Sequence, residues 1–179
     1  MAQTAGRQEA SLLASAVAGD EVAFRRIIAA HHDDMRKVCM AIADDRAIAE
    51  EATQSAWVIA WKRLGDVREP SHLRPWLVTV AANEAKQLLR KRKRRAEVEV
   101  TTDAARVPGG VDPASDVVDI DVRDAMARLD PDDRALLALR YVAGFDSNEL
   151  AKAKGISPSG IRNRLERLLE RLREELDHG

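Results

Sequence analysis

Residues 146–167 read DSNELAKAKGISPSGIRNRLER, and this stretch decides the fold class. Asp146-Ser147-Asn148-Glu149 has the spacing of a capping box, in which an N-cap side chain and the glutamate three residues on satisfy each other's orphan backbone N–H groups. Gly155 supplies a tight turn, and Ser157-Pro158 is an N-cap followed by a first-turn proline. The segment therefore reads helix, short turn, helix. Along the second helix, at about 100° per residue, Ile161, Leu165, Leu168, Leu169, Leu172 and Leu176 gather on one side. Asn163 and Arg167 face the opposite way, with Arg162 and Arg164 flanking them near the N-terminal end. Asn and Arg there offer the paired donors and acceptors that a recognition helix presents to base edges. A three- or four-helix bundle with a charged, solvated face is the competing interpretation of this segment taken alone.

Working upstream, Val122, Met126 and Leu129 begin the same unit, Asp130-Pro131 restarts a helix, and Gly144 can end it. Four short helices fit residues 119–177. Before them, residues 96–118 break into Val-Pro-Gly-Gly, Asp-Pro and scattered acids, a composition expected to form a flexible acidic linker. Ahead of the linker, Lys86 to Arg95 holds seven Lys or Arg and no acid, whereas Ala96 to Val118 holds five acids and Arg106 alone as a base. The net charge of -1 thus conceals a basic surface beside an acidic tether.

The basic run ends a helix that starts near Pro75 and buries Leu77, Val80, Ala81, Leu88 and Leu89. Two further helices precede it. One opens at Gly19-Asp20 after a short polar start, with Phe24, Ile27, Ile28, His31, Met35, Val38, Cys39 and Ile42 as its apolar stripe. The other runs from Arg46 to Arg63, with Trp57 and Trp61 one turn apart and Glu50, Glu51 and Gln54 elsewhere on its surface. Residues 10–95 are read as a first helical domain. Trp57, Trp61 and Trp76 are read as core residues rather than base-stacking platforms. The expected fold is all-α: two small helical domains joined by the linker.

The composition restricts the chemistry. Hydrophobic residues make up 45% of the chain and charged residues 33%, with 3% aromatic, a profile of helical proteins rather than sheet proteins. The single cysteine, Cys39, excludes an intramolecular disulfide and any multi-cysteine zinc site. Adjacent His31 and His32 point about 100° apart on a helix and lack the i, i+4 spacing that grips a metal. No nucleophile elbow, phosphate-cradling glycine loop or carboxylate pair is present, so no enzyme, cofactor or catalytic residue is expected. No stretch reaches the roughly 18 apolar residues of a membrane span, and Met1 to Glu9 lacks the order of a signal peptide, so the expected location is the cytoplasm.

Ala49-Glu50-Glu51-Ala52-Thr53-Gln54 through Trp61, Trp76-Leu77 through Asn83, Leu129-Asp130-Pro131, and the helix from Pro158 to Arg167 together resemble an RNA polymerase sigma factor of the extracytoplasmic function (ECF) type. The resemblance implies that the first domain binds core RNA polymerase and the minus-ten promoter element, and that the second binds the minus-thirty-five element. Glu51, where many relatives have Asp, and Gln54 would then dock on the polymerase clamp. Asn83, Lys86 and Arg90, with the loop Gly65 to Leu73, would act at the minus-ten element. Arg162, Asn163, Arg164 and Arg167 would act at the minus-thirty-five element of promoter DNA. The linker would thread the polymerase channel, and an anti-sigma factor would supply regulation. Two other readings compete. A conventional regulator that binds DNA alone explains only the C-terminal half, and a nucleic-acid-processing enzyme lacks a catalytic constellation.

Overall fold

The computed structural model describes the backbone of residues 2–99 and 117–177, and the side chains of residues 8–96 and 121–177. Residues 100–116, the body of the segment read as an acidic linker, lie outside the described residues. Among the described residues every regular element is helical. No helix there is long and apolar enough to cross a membrane.

The first helix, α1 (Ala2–Val17), occupies what the sequence pattern suggested was a polar start. Its signal is thin, since Leu13 and Ala16 are its deeply buried side chains. A helix with so few apolar positions draws its stability from docking rather than propensity. Helix α2 (Glu21–Ala43) begins where Asp20 accepts from the backbone N–H groups of Val22 at 2.8 Å and Ala23 at 3.2 Å. It ends at Asp44, in the left-handed region with φ 47°, and Asp45 then caps α3 (Arg46–Arg63) through the Ile48 N–H at 3.1 Å.

Helix α3 packs through Ala49, Ala52, Ala56 and Ala60, all fully buried. Small residues at this three- and four-residue spacing let its backbone approach α2 and α4 closely. Thr53, buried among them, donates its hydroxyl to the Ala49 carbonyl at 2.7 Å. Trp57 stands edge-on to Phe24, with ring centres 5.8 Å apart, and its indole N–H donates to His32 Nδ1 at 3.2 Å. His32 is thereby engaged as an acceptor beside the core. Burial lowers the pKa of His31 from its ordinary value, in keeping with its place on the apolar stripe.

Two 3-10 turns, Leu64–Asp66 and Pro70–His72, lead into α4 (Leu73–Glu99). Leu73, Leu77, Val78, Ala81 and Ala85 are fully buried. Cys39 sits against α4, donating its thiol to the Ala81 carbonyl at 3.5 Å, and burial pushes that thiol up to about 11. The basic run continues α4 beyond the expected limit at residue 95, because Ala96 to Glu99 contains no helix breaker.

The second half comprises α5 (Val117–Arg128), α6 (Pro131–Leu137), a π turn over Ala138–Val142, α7 (Ser147–Lys154) and α8 (Pro158–Asp177). The capping box is present: Asp146 accepts from Asn148 and Glu149 N–H groups, and Glu149 accepts from the Asp146 N–H at 2.8 Å. Gly155 closes α7 in the left-handed conformation, φ 67°, which a side chain would strain. Leu136, Leu139, Leu150 and Ile161 are fully buried. Leu176, read as part of the leucine stripe, is 40% exposed because the last turn of α8 outruns the core.

The halves pack on each other, α2 and α4 against α6 and the π turn, so that one apolar cluster runs through both. Two arginines reach across the seam to backbone carbonyls, in opposite directions. Arg74 of α4 binds Asp34 at 2.7 Å and donates to the Ala143 carbonyl at 3.2 Å. Arg134 of α6 donates to the Ile42 carbonyl of α2 at 3.1 Å.

Ile27 is fully buried where α1, α2 and the start of α4 meet, so Ile27→Ala should cost about 2–5 kcal/mol of stability. Ile156, in the α7–α8 turn and 43% exposed, should change stability by no more than about 0.5 kcal/mol on replacement by Ala. Urea unfolding followed by circular dichroism checks both, and equal losses would contradict this division of the core.

Candidate nucleic-acid and polymerase interfaces

Helix α3 carries one uncovered face. Ala52, Thr53, Ala56 and Trp57 are buried, while Glu51 and Gln54 lie exposed on the other side. Steps of three and four residues continue that face through Val58, 56% exposed, and Trp61, 42% exposed. Trp61 is therefore not the core residue suggested by its pairing with Trp57. It packs one edge on Phe24, ring centres 4.8 Å apart, and presents the remainder to solvent. The result is a strip of one acid, one amide and two apolar groups. Sequence reasoning missed Val58, although its spacing from Gln54 was visible. Glu50, next to the strip, is taken by Arg46 at 2.8 Å.

The outer side of α4 exposes Asn83, Gln87 and Arg90, with Trp76 half-buried two turns before Asn83. The preceding loop is held by Leu64 and Val67, both buried, and leaves Arg68, Glu69, Ser71 and His72 exposed. The basic run is partly engaged. Arg92 binds Asp45 at 2.5 Å, Lys86 binds Asp132 of α6 at 3.0 Å, and Arg90 binds the same carboxylate. Lys91, Lys93, Arg94 and Arg95 are exposed.

On α8 the leucine stripe faces inward through Ile161, Leu165 and Leu168, and Arg162, Asn163 and Arg167 are exposed on the far side. Ser157 sets the helix start by accepting from the Gly160 N–H at 3.1 Å. Arg167 leans back to donate to the Asn163 carbonyl at 3.2 Å. Arg164 is placed differently. Its Nε and Nη2 both donate to Asp133 Oδ1, at 2.8 and 2.6 Å, so the guanidinium turns toward α6 rather than outward.

The carboxylates of Asp132 and Asp133 thus sit among cations from α4, α7 and α8, with Lys154 of α7 3.8 Å from Asp132. Burial opposes the Asp132 charge, but the Lys86 hydrogen bond and the charges of Lys86, Lys154 and Arg90 outweigh it and hold this carboxyl below the usual range. Burial, followed by the neighbouring Lys86 charge, lowers the pKa of Lys154. Nothing in the local sequence signalled this cluster, because its members are distant along the chain. The arrangement offers a mixed polar and apolar strip, a basic helix and a helix-turn-helix.

Comparison with known proteins matches residues 27–95 to Sigma-70 region 2 and residues 119–172 to Sigma-70, region 4. The chain is 30% identical over 174 residues to the probable RNA polymerase sigma factor RfaY of Xanthomonas campestris pv. campestris, covering 92% of this chain and 43% of RfaY. It therefore spans less than half of that relative. It is 29% identical over 162 residues to the RNA polymerase sigma factor CarQ of Myxococcus xanthus, covering 88% of this chain and 91% of CarQ. The fold resembles that of the sigma factor RpoE in its complex with the anti-sigma factor NepR from Bartonella quintana, with TM-score 0.69 and 23% identity over 86% of this chain and 96% of that one. With both sigma-70 regions in order over more than half of its length, and 27% identity over 168 residues to the ECF RNA polymerase sigma factor SigM of Mycobacterium tuberculosis, covering 93% of this chain and 83% of SigM, the chain belongs to the ECF group of the sigma-70 family of RNA polymerase sigma factors.

Proposed function

We propose that the chain is a promoter-selecting subunit of RNA polymerase, without catalysis of its own, that binds the core enzyme and directs promoter recognition and opening in the cytoplasm. The observation that carries this is the coexistence, in one chain, of an uncovered α3 strip on the region 2 half and an uncovered α8 reading face on the region 4 half. Residues 10–95 would form the unit for core polymerase and the minus-ten element, residues 119–177 the unit for the minus-thirty-five element, and residues 96–118 the acidic connection. Control by an anti-sigma factor fits the likeness to RpoE, which was solved with NepR.

On this reading Glu51 and Gln54 supply the polar contacts to a basic surface of the polymerase, and Val58 and Trp61 supply the apolar area beside them. An interface of this composition uses the aromatic residue for affinity and the charge for orientation. Asn83 reads a minus-ten base, while Lys86 and Arg90 attract phosphates. Asn163 and Arg167 read base edges in the major groove, with Arg162 and Arg164 holding the backbone.

Glu51→Lys and Trp61→Ala should each reduce co-purification with core polymerase, the tryptophan more strongly, since buried aromatic contacts at interfaces are typically worth about 2 kcal/mol or more. Full recovery of both folded variants with core enzyme would remove this strip from the interface. For DNA, Asn83→Ala should alter preference among minus-ten variants, and Arg167→Ala and Asn163→Ala should each relax specificity at one base of the minus-thirty-five element. Each change should cost about 1–3 kcal/mol, whereas Arg162→Ala should weaken all sequences alike and lower the salt slope by about one. Holoenzyme binding to single-base promoter panels at several salt concentrations separates these outcomes. Uniform losses for Arg167→Ala and Asn163→Ala would reject the reading face.

A further inference from the structure

We propose that Glu166 of α8 reads a cytosine in the minus-thirty-five element, its carboxylate accepting a hydrogen bond from the exocyclic N4 amine. This rests on the reading of α8 as the helix that meets that element, and adds to it the base that one position selects.

Glu166 is an exposed acid on the face that the duplex would meet. At about 100° per residue it falls about 60° from Asn163, between Asn163 and Arg162, and well away from the inward side formed by Ile161, Leu165 and Leu168. Asn163, Glu166 and Arg167 occupy one turn, and residues three apart on a helix in the major groove reach successive bases. A carboxylate in this place repels every phosphate it nears, so it weakens attachment to DNA at large. The compensation open to it is a donor on a base edge.

Nothing within the chain occupies that carboxylate: among the described residues Glu166 has no hydrogen bond and no ion pair. Arg162, one turn before it, is exposed and does not pair with it, and base before acid is the weaker order for such a pair. Arg167, beside it, is turned back onto the Asn163 carbonyl at 3.2 Å. Further along the same helix an acid has a structural task, since Glu175 holds Arg128 of α5 at 3.4 Å. Glu166 has none.

The chemistry of the groove then selects the base. Guanine shows two acceptors there, and thymine one acceptor and a methyl group, none of which a carboxylate can use. Adenine offers its N6 amine, but the N7 acceptor beside it repels the second carboxylate oxygen. Cytosine presents its N4 amine with no acceptor on its own edge, and so fits best. An amide in place of the acid reverses the order, because its N–H and C=O match adenine N7 and N6 together.

The test is selection of duplexes from a promoter library randomised across the minus-thirty-five element, by holoenzyme assembled from core polymerase and the full chain. The unaltered protein should enrich cytosine at one position by about fivefold or more over each other base, the low end of a base-edge contact. Glu166→Ala should level that position, and Glu166→Gln should move it to adenine, with the other positions unchanged. Glu170→Gln makes the same change of charge one turn further on, at an exposed position beyond the N-terminal turns that meet bases, and should leave every base preference in place. Both Gln variants should bind a mixed-sequence duplex about two- to threefold more tightly, since each removes a charge that phosphates repel. A gain in affinity with no change of preference in Glu166→Gln would make Glu166 a solvated surface charge and overturn the inference. So would the lack of any cytosine position in the unaltered holoenzyme. If Glu166→Ala leaves all preferences intact while Asn163→Ala and Arg167→Ala relax theirs, the cytosine contact alone falls. If all three leave them intact, the reading face falls with it.

Discussion

The guanidinium of Arg134 closes the ends of two helices belonging to different halves of the chain. It donates to the Leu129 carbonyl at 3.1 Å and the Ala127 carbonyl at 3.1 Å, where α5 runs out, and to the Ile42 carbonyl at 3.1 Å near the end of α2. The last carbonyls of a helix have no partner within it and carry the negative end of its dipole, so a partly buried cation is well matched to them. Burial lowers the pKa of Arg134 from its ordinary value, but a guanidinium remains charged across the physiological range. With α5 and α2 held to α6 in this way, the rest of the second half is placed relative to the first. Arg74 repeats the arrangement in reverse, from α4 to the carbonyl of Ala143.

Such a seam is polar at its rim and apolar within. Charge-assisted hydrogen bonds contribute about 1.5–3 kcal/mol each when protected, and less when solvent screens them. The apolar cluster beneath gives the contact its area, while the ionic rim makes it specific and sensitive to competing anions. A contact built on this plan can hold two units together without making their separation prohibitive. It also means that residues on the basic helix have partners within the chain before any nucleic acid arrives, and their availability depends on the position of α6.

The α3 strip is governed by different physics. Ala49, Ala52, Ala56 and Ala60 draw the helix so deeply into the first bundle that only one narrow face remains. Because that face holds Val58 and Trp61 as well as Glu51 and Gln54, it leaves apolar area in water that a protein surface can cover. The Phe24 edge fixes the Trp61 ring from below, so little side-chain freedom is lost when the outer side is covered.

Much of this was legible in residue order because it depends on local stereochemistry. Asp20, Asp130 and Asp146 cap helices through backbone groups two or three residues away, Gly155 turns the chain, and the leucine spacing of α8 selects its inner face. Those signals lie within a few residues of each other, and they determined the all-α class, the helix-turn-helix and the outward positions of Asn163 and Arg167. Helix α1 escaped notice because two buried apolar residues make a weak period. Trp61 was misplaced because its exposure depends on where Phe24 ends. The pairings of Lys86 and Arg90 with Asp132, and of Arg164 with Asp133, span 46, 42 and 31 residues. No periodicity reaches across such intervals: capping and helical facing are decided by backbone neighbours, whereas the partner of a long, flexible cation is decided by which carboxylate the packed halves bring within reach.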